Sequence, residues 1–174
     1  VLGLGIMLGG YWAYEMLGWG GYWAWDPVEN SSLIPWLVGV AGIHTLLVQK
    51  RTQSKGGIGK YAKTNLMLCV LTYVLVLYST FLTRSGVLGD ASVHSFVDPG
   101  MIVYLFLVLF IGTFTLLGFG MIVFRWKSLN ENINDDESIL SRELALFTAM
   151  IVLIASAIIV LVGTSAPIFG KSVD

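Results

Sequence analysis

Two imidazoles and one ring-rich run hold most of the chemistry legible in this chain. His44 and His94 are its only histidines. Each can ligate a metal, relay a proton or simply hydrogen-bond within a packed structure. Between Trp19 and Trp25, three tryptophans and Tyr22 fall within seven residues, loosened by Gly20 and Gly21 and stopped by Asp26-Pro27. Trp19, Tyr22, Trp23 and Trp25 are expected to form a flat aromatic platform, because large rings hold wide apolar faces at little rotamer entropy and so suit a large planar ligand. The same residue types collect at membrane interfaces with nothing bound, so an aromatic belt is the competing account.

The surroundings of these residues are apolar. Of the 174 residues, 56% are hydrophobic and only 12% are charged, with mean hydropathy +0.79. That composition belongs to an integral membrane protein. In such a setting haem is the planar ligand that would use both rings and imidazoles. A net charge of −1 and the lack of a basic arm set nucleic acid aside as a partner. The single cysteine, Cys69, lies in an apolar run and reads as a small packing residue. No CxxC or CxxCH occurs, which excludes a zinc ribbon and a covalently attached c-type haem in this segment.

The expected fold is all-α, with about five transmembrane helices and an extracytoplasmic tryptophan-rich loop. Apolar runs of spanning length cover Val1 to Leu17, Leu33 to Val48, Asn65 to Leu82, Met101 to Phe124 and Leu144 to Ala166. The first of these begins abruptly at Val1, so the chain reads as one transmembrane region, residues 1–174, of something longer. The loop between the second and third runs carries Lys50, Arg51, Lys55, Lys60 and Lys63 with no acid, which places it on the cytoplasmic side. These cations set topology first and contact anionic membrane lipid second. Alternation puts the ring-rich loop, residues 19–30, and the loop from Arg84 to Gly100 together on the opposite face. The charged stretch from Arg125 to Glu143 returns inside as a solvated connector.

Each candidate residue has two readings at this point. Asp26 fits an N-cap, Pro27 the first helical position and Glu29 the third position of a capping box, which gives both acids a structural task. Pro35 is expected to kink or restart the helix that follows. His44 lies eleven residues beyond Leu33, roughly 16 Å into a hydrocarbon layer of about 30 Å. An ionisable group at that depth is expected to be a metal ligand, a relay or a hydrogen-bonding packing residue. Gly39 and Gly42 thin the same helix and would admit either another helix or a flat macrocycle. His94 on its own is an ordinary loop histidine. Arg84 could pair a haem propionate or anchor the helix end at the interface.

The run WGGYWAWDPVENSSLIPWLVG, with His44, FLTRSGVL and VHSF after it, resembles the tryptophan-rich WWD membrane proteins, and within them the CcmF family of cytochrome c maturation proteins. SREL from Ser141 and the LVGTSAP stretch are similar to that family's downstream helix, so the resemblance extends over nearly the whole chain. It implies a haem lyase subunit, working within a complex, that joins haem covalently to the CxxCH cysteines of apocytochrome c. It implies transient haem delivered by the chaperone CcmE to the WWD loop, with His94 as one outer ligand. Trp19, Tyr22, Trp23, Trp25, Asp26 and Arg84 would surround that haem. It further implies a resident, membrane-embedded haem b held by His44, and partners that include apocytochrome c and thiol-handling subunits of the CcmH/CcmI type. The second outer ligand is expected before Val1 and the second membrane ligand after Asp174, as in a fragment or a split-gene piece. The resemblance places the protein in the bacterial inner membrane, with its active face periplasmic, or else in the mitochondrial inner membrane. A haem presenter or transporter, and a b-haem electron-transfer subunit, remain open as alternatives.

Overall fold

The computed structural model describes residues 1–18, 21–53, 57–89, 91–92, 94, 99–129 and 141–169. Five α-helices make up almost all of it: α1 (Leu2–Leu17), α2 (Pro27–Gln53), α3 (Ala62–Arg84), α4 (Met101–Arg125) and α5 (Arg142–Ser165). Short 3-10 turns extend α4 and α5. No strand occurs among the described residues.

Among the described residues four helices are long and apolar enough to cross a membrane: α2, α3, α4 with its extension, and α5 with its extension. The expected first span is helical, as α1 of 16 residues. α1 ends at Gly18, whose φ of 62° closes the helix in the left-handed conformation that glycine adopts without strain.

α2 is the centre of the assembly. It packs chiefly on α5 and α3, α4 lies on the far side of α3, and α1 rests lightly on α2. Ile34, Leu37, Val38 and Ala41 of α2 meet Leu68 and Leu75 of α3 and Met150 and Ala157 of α5 in one buried cluster. Polar groups add specificity along the same seams. Ser31 Oγ lies 2.9 Å from Ser79 Oγ, and Tyr78 Oη lies 2.7 Å from Ser165 Oγ. Nearer the Gln53 end, Thr45 donates to Asn65 Oδ1, whose amide donates to Gln49 Oε1. Inter-helix bonds of this kind satisfy side chains that would otherwise be left bare in hydrocarbon.

The start of α2 follows its local sequence. Asp26 Oδ2 accepts from Val28 N at 2.9 Å, Pro27 opens the helix, and Glu29 Oε2 reaches back to the amides of Asp26 (3.3 Å) and Ala24 (2.8 Å). This is a capping box with one bond more than the usual pair. Pro35 neither ends nor restarts the helix: α2 runs unbroken from Pro27 to Gln53 with Pro35 buried inside it. The helix therefore starts six residues before Leu33 in a ring-proximal turn where Ser31 and Ser32 bond to the carbonyls of Val28 and Glu29. α5 opens in a similar way, with Ser141 Oγ accepting from Leu144 N at 3.1 Å.

Candidate functional site

At the Asp26 end of α2, three segments converge on one cleft. α1 supplies Gly5, Gly9 and Trp12, the ring-rich loop supplies Tyr22 and Trp23, and His94 closes one side. The cleft has a volume of about 340 Å³, at the lower end of the range for small-molecule and cofactor sites. Its wall is formed by glycine faces, rings and a few aliphatic side chains, with Glu29, Ser32 and His94 as the polar exceptions. α1 can approach the loop because position 10 has no side chain: a Cβ on Gly10 would sit 2.8 Å from the Tyr22 carbonyl oxygen.

The rings do not make the flat platform expected of them. Tyr22 stacks on Tyr14 of α1 with centroids 4.2 Å apart and planes 6° from parallel. Trp23 and Trp25 meet edge to face, at 6.4 Å and 86°. The alternation comes from Trp25, whose backbone takes φ 59° and whose carbonyl is held by the Asn30 side chain at 2.9 Å. That left-handed residue turns the chain into α2 and sends the Trp25 ring outward, 66% exposed and outside the cleft wall. Trp23 therefore faces the cleft, and Trp25 braces it from the side. Trp19 lies outside the described residues.

His94 is brought to the cleft by the loop after α3. Leu88 is fully buried with Phe81 and Leu82, and the amides of Ala91 and Ser92 bond back to the Leu88 carbonyl at 3.0 Å. The fold of this loop delivers Ser92 to Asp26. Ser92 Oγ donates to Asp26 Oδ2 at 2.6 Å and accepts from the His94 amide at 3.1 Å. His94 Nδ1 stands 3.3 Å from the same Asp26 oxygen, within ion-pair range though short of hydrogen-bond alignment. Nδ1 is buried while the side chain as a whole is 30% exposed and lines the cleft. Arg84, the last residue of α3, is exposed and does not line the cleft.

His44 occupies a different place. It sits half-buried on α2, with Nδ1 2.8 Å from the Val40 carbonyl oxygen. That contact fits a tautomer with the proton on Nδ1 and leaves the Nε2 lone pair available. Asp26 and His44 are eighteen residues apart, roughly 27 Å along the helix axis. Since metal–imidazole bonds are about 2 Å, His44 and His94 cannot share one iron. Gly39 and Gly42 point away from His44. They face α3 at ordinary contact distance, with added Cβ atoms 3.5 Å from Thr72 and 3.6 Å from Leu68, so helix packing is what they serve here. They line a second cavity of about 640 Å³ between α2 and α3, and His44 is not part of its wall.

Whether these residues suit haem can be judged from the donors. A porphyrin fills four positions of its iron, so the protein need offer only one imidazole per face. His44 presents a single imidazole whose Nδ1 is bonded to the Val40 carbonyl, His94 presents one whose Nδ1 stands 3.3 Å from Asp26, and the outer cleft adds a glycine-thinned, ring-lined wall. The residues present fit the group. Sequence reasoning did not find Ser92, Tyr14 or the glycine wall of α1. The helical spacing of Gly5, Gly9 and Trp12 was visible, but nothing in it shows which helix or loop they face.

The family described as Cytochrome C assembly protein matches residues 1–88. The chain is 42% identical over 173 residues to the cytochrome c-type biogenesis protein CcmF of Escherichia coli, covering 98% of this chain and 25% of that protein. It is 42% identical over 171 residues to the cytochrome c-type biogenesis protein CycK of Bradyrhizobium diazoefficiens, covering 96% and 24%. It is 37% identical over 165 residues to the probable cytochrome c-type biogenesis protein NrfE of Escherichia coli, covering 94% and 28%. The chain thus spans about a quarter of the length of these relatives. No solved structure matches it.

Proposed function

Because this chain belongs to the cytochrome c assembly protein family, we propose that it holds haem for covalent attachment to apocytochrome c, as the haem-handling part of a lyase complex. The observation that carries the proposal is the cleft at the Asp26 end of α2, where an imidazole with a carboxylate behind it faces a wall of rings and glycines. When bound there, haem supplies the vinyl groups that become thioethers with the CxxCH thiols.

The chain's own part is placement. Trp23, Tyr22 and Trp12 offer apolar faces that would exclude water from the cleft, and His94 would hold the iron. Fixing one reactant in near-attack geometry can remove roughly 7 kcal/mol or more from the barrier of a bimolecular step. Thiols come from the apocytochrome, so this reading asks for no nucleophile in the chain. Haem reaches the cleft from the chaperone CcmE, and the thiol-handling subunits of the CcmH/CcmI type present the apocytochrome. His44, about 27 Å away along α2, ligates a resident haem b. With the positive loop cytoplasmic, the cleft opens on the periplasmic face of a bacterial inner membrane.

The test uses the full-length parent protein, purified from membranes with the chaperone coexpressed. His94→Ala should remove the transiently delivered haem and spare the resident b-type spectrum; His44→Ala should do the reverse. If neither variant changes the Soret absorbance, or if each removes the other's signal, the assignment of the two sites fails.

A further inference from the structure

Within that haem reading, we infer that Asp26 is a positioning residue for the outer axial ligand, holding the His94 ring by its Nδ1 edge so that Nε2 faces the cleft. One carboxylate oxygen does the work. Asp26 Oδ2 accepts from Val28 N at 2.9 Å, accepts from Ser92 Oγ at 2.6 Å and lies 3.3 Å from His94 Nδ1. Ser92 closes the ring of contacts by accepting from the His94 amide at 3.1 Å, so backbone and side chain of His94 are both referred to the same acid.

The arrangement has more parts than a helix cap requires. A cap needs only the Val28 amide, which Ser, Thr or Asn would satisfy equally well. What Asp adds is a formal negative charge, and its side chain here is 10% exposed, so solvent screens that charge little. A carboxylate on the far nitrogen of a ligating imidazole fixes its tautomer and ring orientation and raises its donor strength. The first two effects need the geometry just described, and the third needs the charge. Helix packing explains none of the three. The loop fold built on Leu88 exists, on this account, to carry Ser92 and His94 to the start of α2.

Asp26→Asn separates the two roles, because Asn keeps the cap and the bond from Ser92 but drops the charge. Iron protoporphyrin IX is titrated into the purified full-length protein in nanodiscs, and the outer site is isolated as the difference between each protein and its His94→Ala counterpart. The expected result for Asp26→Asn is membrane yield and His44-dependent absorbance as in the parent. Outer-site haem should bind 10- to 100-fold more weakly, the usual effect of losing such a partner, with a raised reduction potential and a lowered iron–imidazole stretching frequency. Ser92→Ala, which leaves the charge in place, should weaken binding while moving the potential less. An Asp26→Asn protein with parental affinity, potential and stretching frequency would show that Asp26 only caps α2. An outer site that binds no haem even in the parent would overturn the haem reading itself, and this inference with it.

Discussion

At the scale of single residues, the two neighbouring tryptophans of the loop are not equivalent. Trp23 faces the cleft, while Trp25 is turned outward by its own left-handed backbone. Trp23→Ala is therefore expected to weaken haem retention about tenfold, the equivalent of one lost ring contact of about 1.4 kcal/mol. Trp25→Ala should change it by less than half of that in free energy, acting only through its edge contact with Trp23. Copurification of the chaperone-bound haem complex from membranes compares the two directly, and equal losses would mean that both rings touch the ligand. Gly10 offers a second check. Gly10→Ala places a methyl group 2.8 Å from a backbone carbonyl that cannot swing aside as a side chain would, so α1 must move away from the loop. The identities of the rings, the imidazoles and Asp26 were all legible in the sequence. Which way each ring turns was not, because that depends on one φ angle at Trp25 and on the approach of α1.

Among the elements, the loop after α3 contributes most to the site and was least legible beforehand. Its organising residue is Leu88, an ordinary apolar side chain in a segment whose polar neighbours draw attention first. Leu88→Ala should leave the helices assembled while loosening residues 85–92, since truncating a buried leucine typically forfeits 2–5 kcal/mol. Hydrogen exchange at the Ala91 and Ser92 amides should accelerate well before that of α2 or α3. Uniform protection would show the loop to be held by something else. The capped start of α2 is the opposite case, since Asp26, Pro27 and Glu29 announce it in order and the structure realises each bond. Apolar run length likewise foretold all five helices, α1 to α5. Of the two outcomes expected at Pro35, a kink or a restart, the restart does not occur. A proline inside a helix removes one amide and crowds one carbonyl, which buried packing against α3 and α5 can outweigh.

For the molecule as a whole, the informative fact is the distance between two imidazoles that are served by the same helix. The outer ring is tied to Asp26 at the first turn of α2, and His44 lies roughly 27 Å further along it. Sites this far apart with no shared partner are expected to respond independently. The absorbance lost in a His44→Ala, His94→Ala double variant should equal the sum of the single losses, and any excess or deficit would reveal coupling through α2. The chain covers about a quarter of its relatives' length, and α4 packs on α3 while burying only Ile122, so an apolar face of α4 is available to lipid or to further helices. The unbroken course of α2 also makes the residue count between its two stations a mechanical constant. Adding one residue between Val38 and Gly39 would rotate everything downstream by about 100° and shift it by 1.5 Å. His44 would then swing into another sector of the bundle while the Asp26–His94 corner stayed as it was. Point substitutions along this stretch can be absorbed by repacking, whereas a change of length would dial one imidazole away from its ligand without touching any residue that binds it.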